Sequence, residues 1–240
     1  MFRMAMRALP PGVLAFALVA CARETPGPEI SLGRTGPDSL CIATGNTYEC
    51  AQLIERHQLS KPQIGQLVTR SAGALRLSLL DGRTLVMEDR AEPDLQGTEP
   101  DMPRRFSLRD YLEDPAYYVL HRQLHEGADY LLIHAGSGAQ FSVQERPVIS
   151  PDGLRVVTAS AGLSGMSSGN AVQIWRLEPA GIVLEYELIP GDWEPSEPGW
   201  LDDSTIQLRQ QAPLVGDGRA FSRSIRLVSR QGEWRLDESP

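Results

Sequence analysis

The sequence predicts a mainly β protein of antiparallel hairpins, with one short helix near its N-terminal end. Three observations lead there. Apolar and polar residues alternate in short runs, as through Leu75, Leu77 and Leu79 or Leu184, Tyr186 and Leu188. Tight-turn residues separate the runs: Asp81-Gly82, Glu126-Gly127, Pro151-Asp152-Gly153 and Gln231-Gly232. No helical pattern of 20 residues follows residue 60, so the long crossovers that a parallel sheet needs are missing.

The first segment is MFRMAMRALPPGVLAFALVACARETPGP. Arg3 and Arg7 give a positive start, and the run from Leu9 to Ala20 is apolar and small. That run is too short for a relaxed membrane span of about 20 residues, and its order is that of a secretory signal. Leu18-Val19-Ala20-Cys21 resembles the signal of bacterial lipoproteins. The resemblance implies a cut before Cys21, a lipidated Cys21 thiol and an acylated new amino group, with palmitate among the chains. In that family an aspartate after the cysteine retains the protein in the inner membrane. Ala22 stands there instead, which implies the outer membrane, facing the periplasm. The competing readings are an ordinary signal peptide with a chance cysteine, or a single anchoring helix. The expected division is residues 1–20 as signal, 21–38 as a lipidated flexible tether rich in Pro and Gly, 39–62 as a disulfide-linked loop and short helix, and 63–240 as an all-β domain.

Without residues 1–20, 21 basic and 31 acidic residues remain, a net of −10. Such a charge argues against nucleic acid, which wants a basic face, and against lying on anionic lipid through the protein's own surface. Membrane attachment then falls to covalent lipid. Cys41 and Cys50 remain, in CIATGNTYEC. In an exported protein the compartment is oxidising, and the pair is expected to form a disulfide. Free buried thiols or a redox pair are the alternatives, although a redox pair usually sits as Cys-x-x-Cys.

Thr47 is a helix cap ahead of YECAQLIERHQ, with Glu49 in the first turn and Cys50, Ile54 and His57 on one face. Ser60-Lys61-Pro62 marks the end, and from Ile64 the period is expected to turn from helical to alternating. ALRLSLLDGRTLVMED is a hairpin. The span from Arg90 to Arg105, with three prolines and four acids, is a loop. YYVLHRQLHEGADYLLIHAGSGAQFSVQ gives three strands in series, and PVISPDGLRVVTASA a turn and a strand. AVQIWRLEPAGIVLEYELIP is a second hairpin, IPGDWEPSEPGWLDD a Pro/Gly loop, WLDDSTIQLRQ a turn and strand, and SIRLVSRQGEWRLDE the last hairpin.

PVISPDGLRVVTAS and EPGWLDDSTIQLRQ share an order: proline, large apolar residue, acidic turn, alternating strand. From Asp152 to Asp203 is 51 residues, a blade-sized period. Ser150-Pro151-Asp152-Gly153, followed by Ile174-Trp175, resembles the blade motif of β-propellers over about residues 147–178. The second copy lacks Ser-Pro and Ile-Trp. The resemblance implies a propeller-like or partial-propeller β-domain of at most three or four blades. A sandwich stays open as the alternative.

The search for chemistry is short. The sequence has no Gly-x-Ser-x-Gly elbow, and Lys61 is the one lysine, without a phosphate loop around it. His121, His125 and His134, on and across one hairpin, are the candidates for a metal; a bland strand face is the competing reading. Trp193 and Trp200 are candidate interface anchors or, alternatively, pins of a loop on the core. Acids around them (Asp192, Glu194, Glu197, Asp202, Asp203) would suit a basic partner or a divalent ion. No cofactor is read, and no catalytic residue. The expected function is that of a membrane-anchored periplasmic lipoprotein whose non-catalytic β-domain binds a protein or other envelope component. Capture of a small ligand or metal, and a hydrolase without a recognisable motif, are the alternatives.

Overall fold

The computed structural model of the chain describes residue 41 and residues 47–91, 102–162, 169–211 and 221–237. The signal, Cys21 and the tether lie outside the described residues.

Helix α1 spans Thr47–Leu59, with Glu49 in its first turn and Arg56 and His57 in its last, as charge and the helix dipole favour. Cys50 is bonded to Cys41, so the expected disulfide is present. Ile54 is fully buried. α1 ends at Leu59, at the expected Ser60-Lys61-Pro62 stop, but Pro62 then opens a second helix, α2, Pro62–Leu67. A proline is welcome there, since a first-turn N–H has no intrahelical partner to lose. The alternating pattern therefore starts at Val68 and not at Ile64.

Four antiparallel sheets follow, each made of strands consecutive in the chain. The first holds β1 (Val68–Ser71), β2 (Ala74–Ser78) and β3 (Thr84–Glu88). The second holds β4 (Arg104–Leu112), β5 (Tyr117–Leu124), β6 (Ala128–His134) and β7 (Gln140–Val143). The third holds β8 (Val148–Ile149), β9 (Arg155–Ser160), β10 (Ala171–Glu178) and β11 (Gly181–Leu188). The fourth holds β12 (Glu194–Asp202), β13 (Thr205–Gln211), β14 (Ser222–Arg230) and β15 (Glu233–Asp237). The hairpins expected at Asp81-Gly82, Glu126-Gly127, Pro179-Ala180 and Gln231-Gly232 all stand. The end of the Arg90–Arg105 span is not loop: Arg104 opens β4 and exchanges two backbone hydrogen bonds, of 2.8 and 3.0 Å, with Arg90.

The sheets pack in chain order through three cores. Leu75, Leu77 and Met87 of the first meet Leu108, Tyr118, Leu120 and Ile133 of the second. On its other face the second sheet sets Tyr117, Val119 and Leu132 against Val156 and Leu177 of the third. The third then sets Val157, Val172 and Ile174 against Trp200, Ile206, Leu208 and Leu227 of the fourth. A sheet buried on both faces needs apolar residues in succession, which explains the continuous runs Tyr117–Leu120 and Leu131–Ile133.

The propeller expectation is corrected here. Each sheet is a separate open meander, and none is curled or closed into a barrel. No core among the described residues joins the fourth sheet to the first. The physical reason lies in the end faces. The first sheet turns Thr69, Arg76 and Glu88 outward, and the fourth turns Arg209, Arg226 and Arg235 outward, all exposed. Two polar, hydrated faces gain nothing by meeting, so among the described residues the stack stays open at both ends. The 51-residue period is real as chain arithmetic: it is the spacing of the third and fourth sheets. Their first turns touch, with Asp152 N donating to Asp203 Oδ1 at 2.9 Å. In the first of these turns Ser150 Oγ donates to Asp152 Oδ1 (2.6 Å) and Gly153 adopts φ 76°. A Cβ on Gly153 would lie 3.0 Å from Asp114 O, so glycine fits both the conformation and the approach of the second sheet.

Of the stretch read as a Pro/Gly loop, residues 189–193 lie outside any strand but Glu194–Asp202 form the strand β12, the second correction in this part of the chain. It is an edge strand, where proline's missing N–H is tolerated. Pro195 opposes Gln210, and the register then breaks between Ser196 and Gly199, leaving Glu197 and Pro198 as a bulge. Glu197 adopts φ 49°, a left-handed conformation that is uncommon outside glycine.

Candidate functional site

The bulge in β12 shapes a cleft of about 530 Å³ at the mouth of the core between the third and fourth sheets. Its floor is apolar: Val148 from β8, Ala159 from β9 and Leu208 from β13. Val148 and Leu208 are also core residues, so the floor is an exposed part of the inter-sheet packing. One rim is the connector after β7, with Glu145 and Arg146. The other is Glu197 and Pro198 from the bulge, together with Arg209.

Each rim side chain has a local origin. Looping two residues out of the ladder at Ser196/Gly199 throws Glu197 sideways, where its Oε2 accepts from Arg209 Nε at 2.8 Å. Both partners are about half exposed or more, so the pair sets geometry more than stability. Ser196 Oγ, next to the bulge, is buried and makes no hydrogen bond. The connector is held to the fourth sheet from β8, where Val148 O accepts from Trp200 Nε1 at 2.9 Å. An apolar floor inside a rim of both charge signs can take an apolar side chain and exclude water around it.

The residues singled out in the sequence fall elsewhere. Trp193 and Trp200 are 8% and 0% exposed, and both belong to the core between the third and fourth sheets. Trp200 meets Trp234 edge-on, with ring centroids 5.7 Å apart. Trp193 is pinned through its carbonyl, which accepts from the buried Asn170 Nδ2 at 2.8 Å. Neither indole offers a surface anchor, so the interface expectation for these two gives way to core packing.

The three histidines do not converge. His121 lies in β5 opposite Tyr130, His134 in β6 opposite Tyr117, and His125 is exposed beyond the end of β5. Asp129, which the sequence places near His121, is engaged by Arg122 and by Ser142 Oγ. Among the described residues no three His, Cys, Asp or Glu side chains stand close enough to hold a metal ion. His121 is buried, and burial, with Arg109 near by, holds its pKa below the ordinary value. His134 Nδ1 and Ser137 Oγ lie 3.0 Å apart, but Ser137 is three residues on in the same turn and its Oγ also accepts from Ala139 N. This contact locks the β6–β7 turn.

Apart from Glu197, the cleft residues escaped the sequence reading because they come from five separate segments, none with a motif. The one available signal was Glu197-Pro198-Gly199 within an otherwise strand-like spacing, a pattern that marks a bulge as well as a loop. The sequence matches no protein-family model, and it matches none of the curated proteins compared with it.

Proposed function

We propose that the chain is a lipid-anchored envelope protein whose β-domain is a non-catalytic binding module, with a partner protein docking at the cleft between the third and fourth sheets. The cleft carries the docking reading: its apolar floor of Val148, Ala159 and Leu208 sits inside a rim of Glu145, Arg146, Glu197 and Arg209. That is the anatomy of a small interface centre, where one apolar anchor is buried and the polar rim fixes register. The anchoring half of the reading rests on Leu18-Val19-Ala20-Cys21 behind a positive and apolar start. The bond between Cys41 and Cys50 suits the oxidising side of a membrane. On this reading Cys21 carries the lipid, the segment after it is the tether, and the domain stands off the periplasmic face of the outer membrane.

The test has two parts. Mass spectrometry of the envelope-extracted protein should find an N-terminal Cys21 bearing acyl chains. An unmodified Cys21 would overturn the anchoring. For docking, a photo-crosslinker at Glu145, on the cleft rim, should capture one envelope protein from intact cells. Ala159→Leu, at the half-buried floor of the cleft, should fill part of it and cut that capture about tenfold while leaving the melting temperature in place. Capture unchanged by the filled cleft would move the partner elsewhere.

A further inference from the structure

Around α1 the described residues carry a local excess of arginine. The chain has a formal net charge of −8. Yet a cavity of about 270 Å³ between α1 and β4 is lined by Arg56, Arg70 and Arg105. An adjoining cavity of about 380 Å³ adds Arg90, Arg104 and His125, with Tyr48 and Arg105 common to both. Among the described residues, Glu55 and Asp89 are the carboxylates lining the two cavities, and both are already committed. Glu55 accepts from Arg70 Nε (2.9 Å), Arg70 Nη2 (2.7 Å) and Leu108 N (2.8 Å). Asp89 accepts from Arg70 Nη1 (3.0 Å) and Phe106 N (2.9 Å).

Arg56 and Arg105 stand differently. They come from facing elements, α1 and β4, and both are exposed. Neither has an ion-pair partner among the described residues. Arg105 is also positioned in advance. Its guanidinium lies 4.8 Å from the centroid of the Tyr48 ring, and Gln52 Nε2 donates to the Tyr48 hydroxyl at 2.5 Å.

We infer that this cavity is an oxyanion site, in which Arg56 and Arg105 hold one phosphate group between them. A guanidinium presents a planar fork that matches phosphate oxygens two at a time. Two such forks across a partly enclosed cavity act in a lower dielectric than bulk water. In the first cavity Arg56, Arg70 and Arg105 face Glu55 and Asp89, so its described lining keeps an excess of positive charge that favours an anion there. The chemistry is shared by two sources, a free phosphate and the headgroup of an anionic phospholipid. The inference stands apart from the cleft and its partner.

The experiment uses the full chain carrying Cys21→Ser, so that no attached lipid confuses the reading. Inorganic phosphate is titrated in by calorimetry, and the same protein is floated with vesicles of phosphatidylcholine alone or mixed with phosphatidylglycerol. Saturable phosphate binding is expected, weakened about tenfold or more in R56Q and in R105Q, each of which removes charge-assisted hydrogen bonds. It should be unchanged in R230Q, at the far hairpin. Flotation only with phosphatidylglycerol, lost in R105Q, assigns the source to a headgroup. Phosphate binding without flotation assigns it to a soluble phosphate. Absence of Arg56- and Arg105-dependent binding in both arms, or equal loss in R230Q, overturns the site. Circular dichroism melts check each variant, and should one of the two fail to fold, the other decides.

Discussion

His121 is a buried imidazole edge-on to Tyr130, with ring centroids 5.3 Å apart. Burial lowers its pKa, the positive charge of Arg109 lowers it further, and Asp129 opposes them weakly. The folded chain therefore takes up this proton at a lower pH than the unfolded chain, whose histidine titrates near 6.5. Above that value the group has no effect on stability. As pH falls through it, the unfolded state binds the proton first and stability drops, until the folded-state pKa is reached. His121→Phe, which keeps an aromatic ring against Tyr130, should flatten this part of the profile. The check is the urea midpoint of both proteins followed downward from neutral pH: the wild type should lose stability relative to the variant just below 6.5. The sequence marked His121 as a possible ligand because of its residue type. What decides its role is the neighbour across the strand pair, and pairing register cannot be read from residue type.

At the scale of elements, α1 does the work of a missing strand. β4 is the edge of the second sheet, and an uncovered edge invites pairing with other chains. Here its outward backbone groups are answered by side chains. Phe106 N donates to Asp89, Leu108 N to Glu55, and the carbonyls of Phe106 and Arg109 accept from Arg70 and Gln58. Gln58 is 1% exposed and Glu55 7%, polar residues on the inner face of a helix that a hydrophobic pattern alone would place outside. The sequence showed the helix and the disulfide, since caps, charges and cysteine spacing are local. It could not show what the helix covers, because β4 is 53 residues beyond Glu55 at their contact. Glu55→Ala leaves Leu108 N without its partner and Arg70 with only Asp89 and the Phe106 carbonyl, and should cost about 3 kcal/mol by urea denaturation. Replacing Cys41 and Cys50 together with serine should cost about 2–3 kcal/mol, as expected for a closed loop spanning a separation of 9 residues. Both changes loosen the same helix, so their combination should cost less than the sum, by a coupling that a double-mutant cycle reads directly. Additive losses would mean that the disulfide holds only the chain before α1.

For the molecule as a whole, the order of the sheets in the chain is also their order in space, and that much was legible: hairpins at local turns, a period of one sheet, all-β composition. Closure was not legible. A strand with one polar face reads the same whether that face meets water or the next blade of a ring, so Arg209, Arg226 and Arg235 gave no warning that the fourth sheet ends the stack. The consequence is an uneven distribution of stability. Among the described residues, the second and third sheets are covered on both faces, and the first and fourth on one. Native-state opening follows buried contact density, with the least covered units opening at the lowest free energy. Amides of β5, β6, β9 and β10, the inner strands of the two middle sheets, should therefore exchange slowest. Those of β13 and β14 are just as central within their own sheet, and hydrogen bonding alone would protect them equally. With one face in water they should exchange about tenfold faster or more. Hydrogen–deuterium exchange followed by mass spectrometry compares the two sets in a single sample. Equal protection of β13–β14 and β5–β6 would mean that the fourth sheet is covered in solution by something not seen in the isolated chain, and would point first to its outer face, where Arg209, Arg226 and Arg235 are exposed.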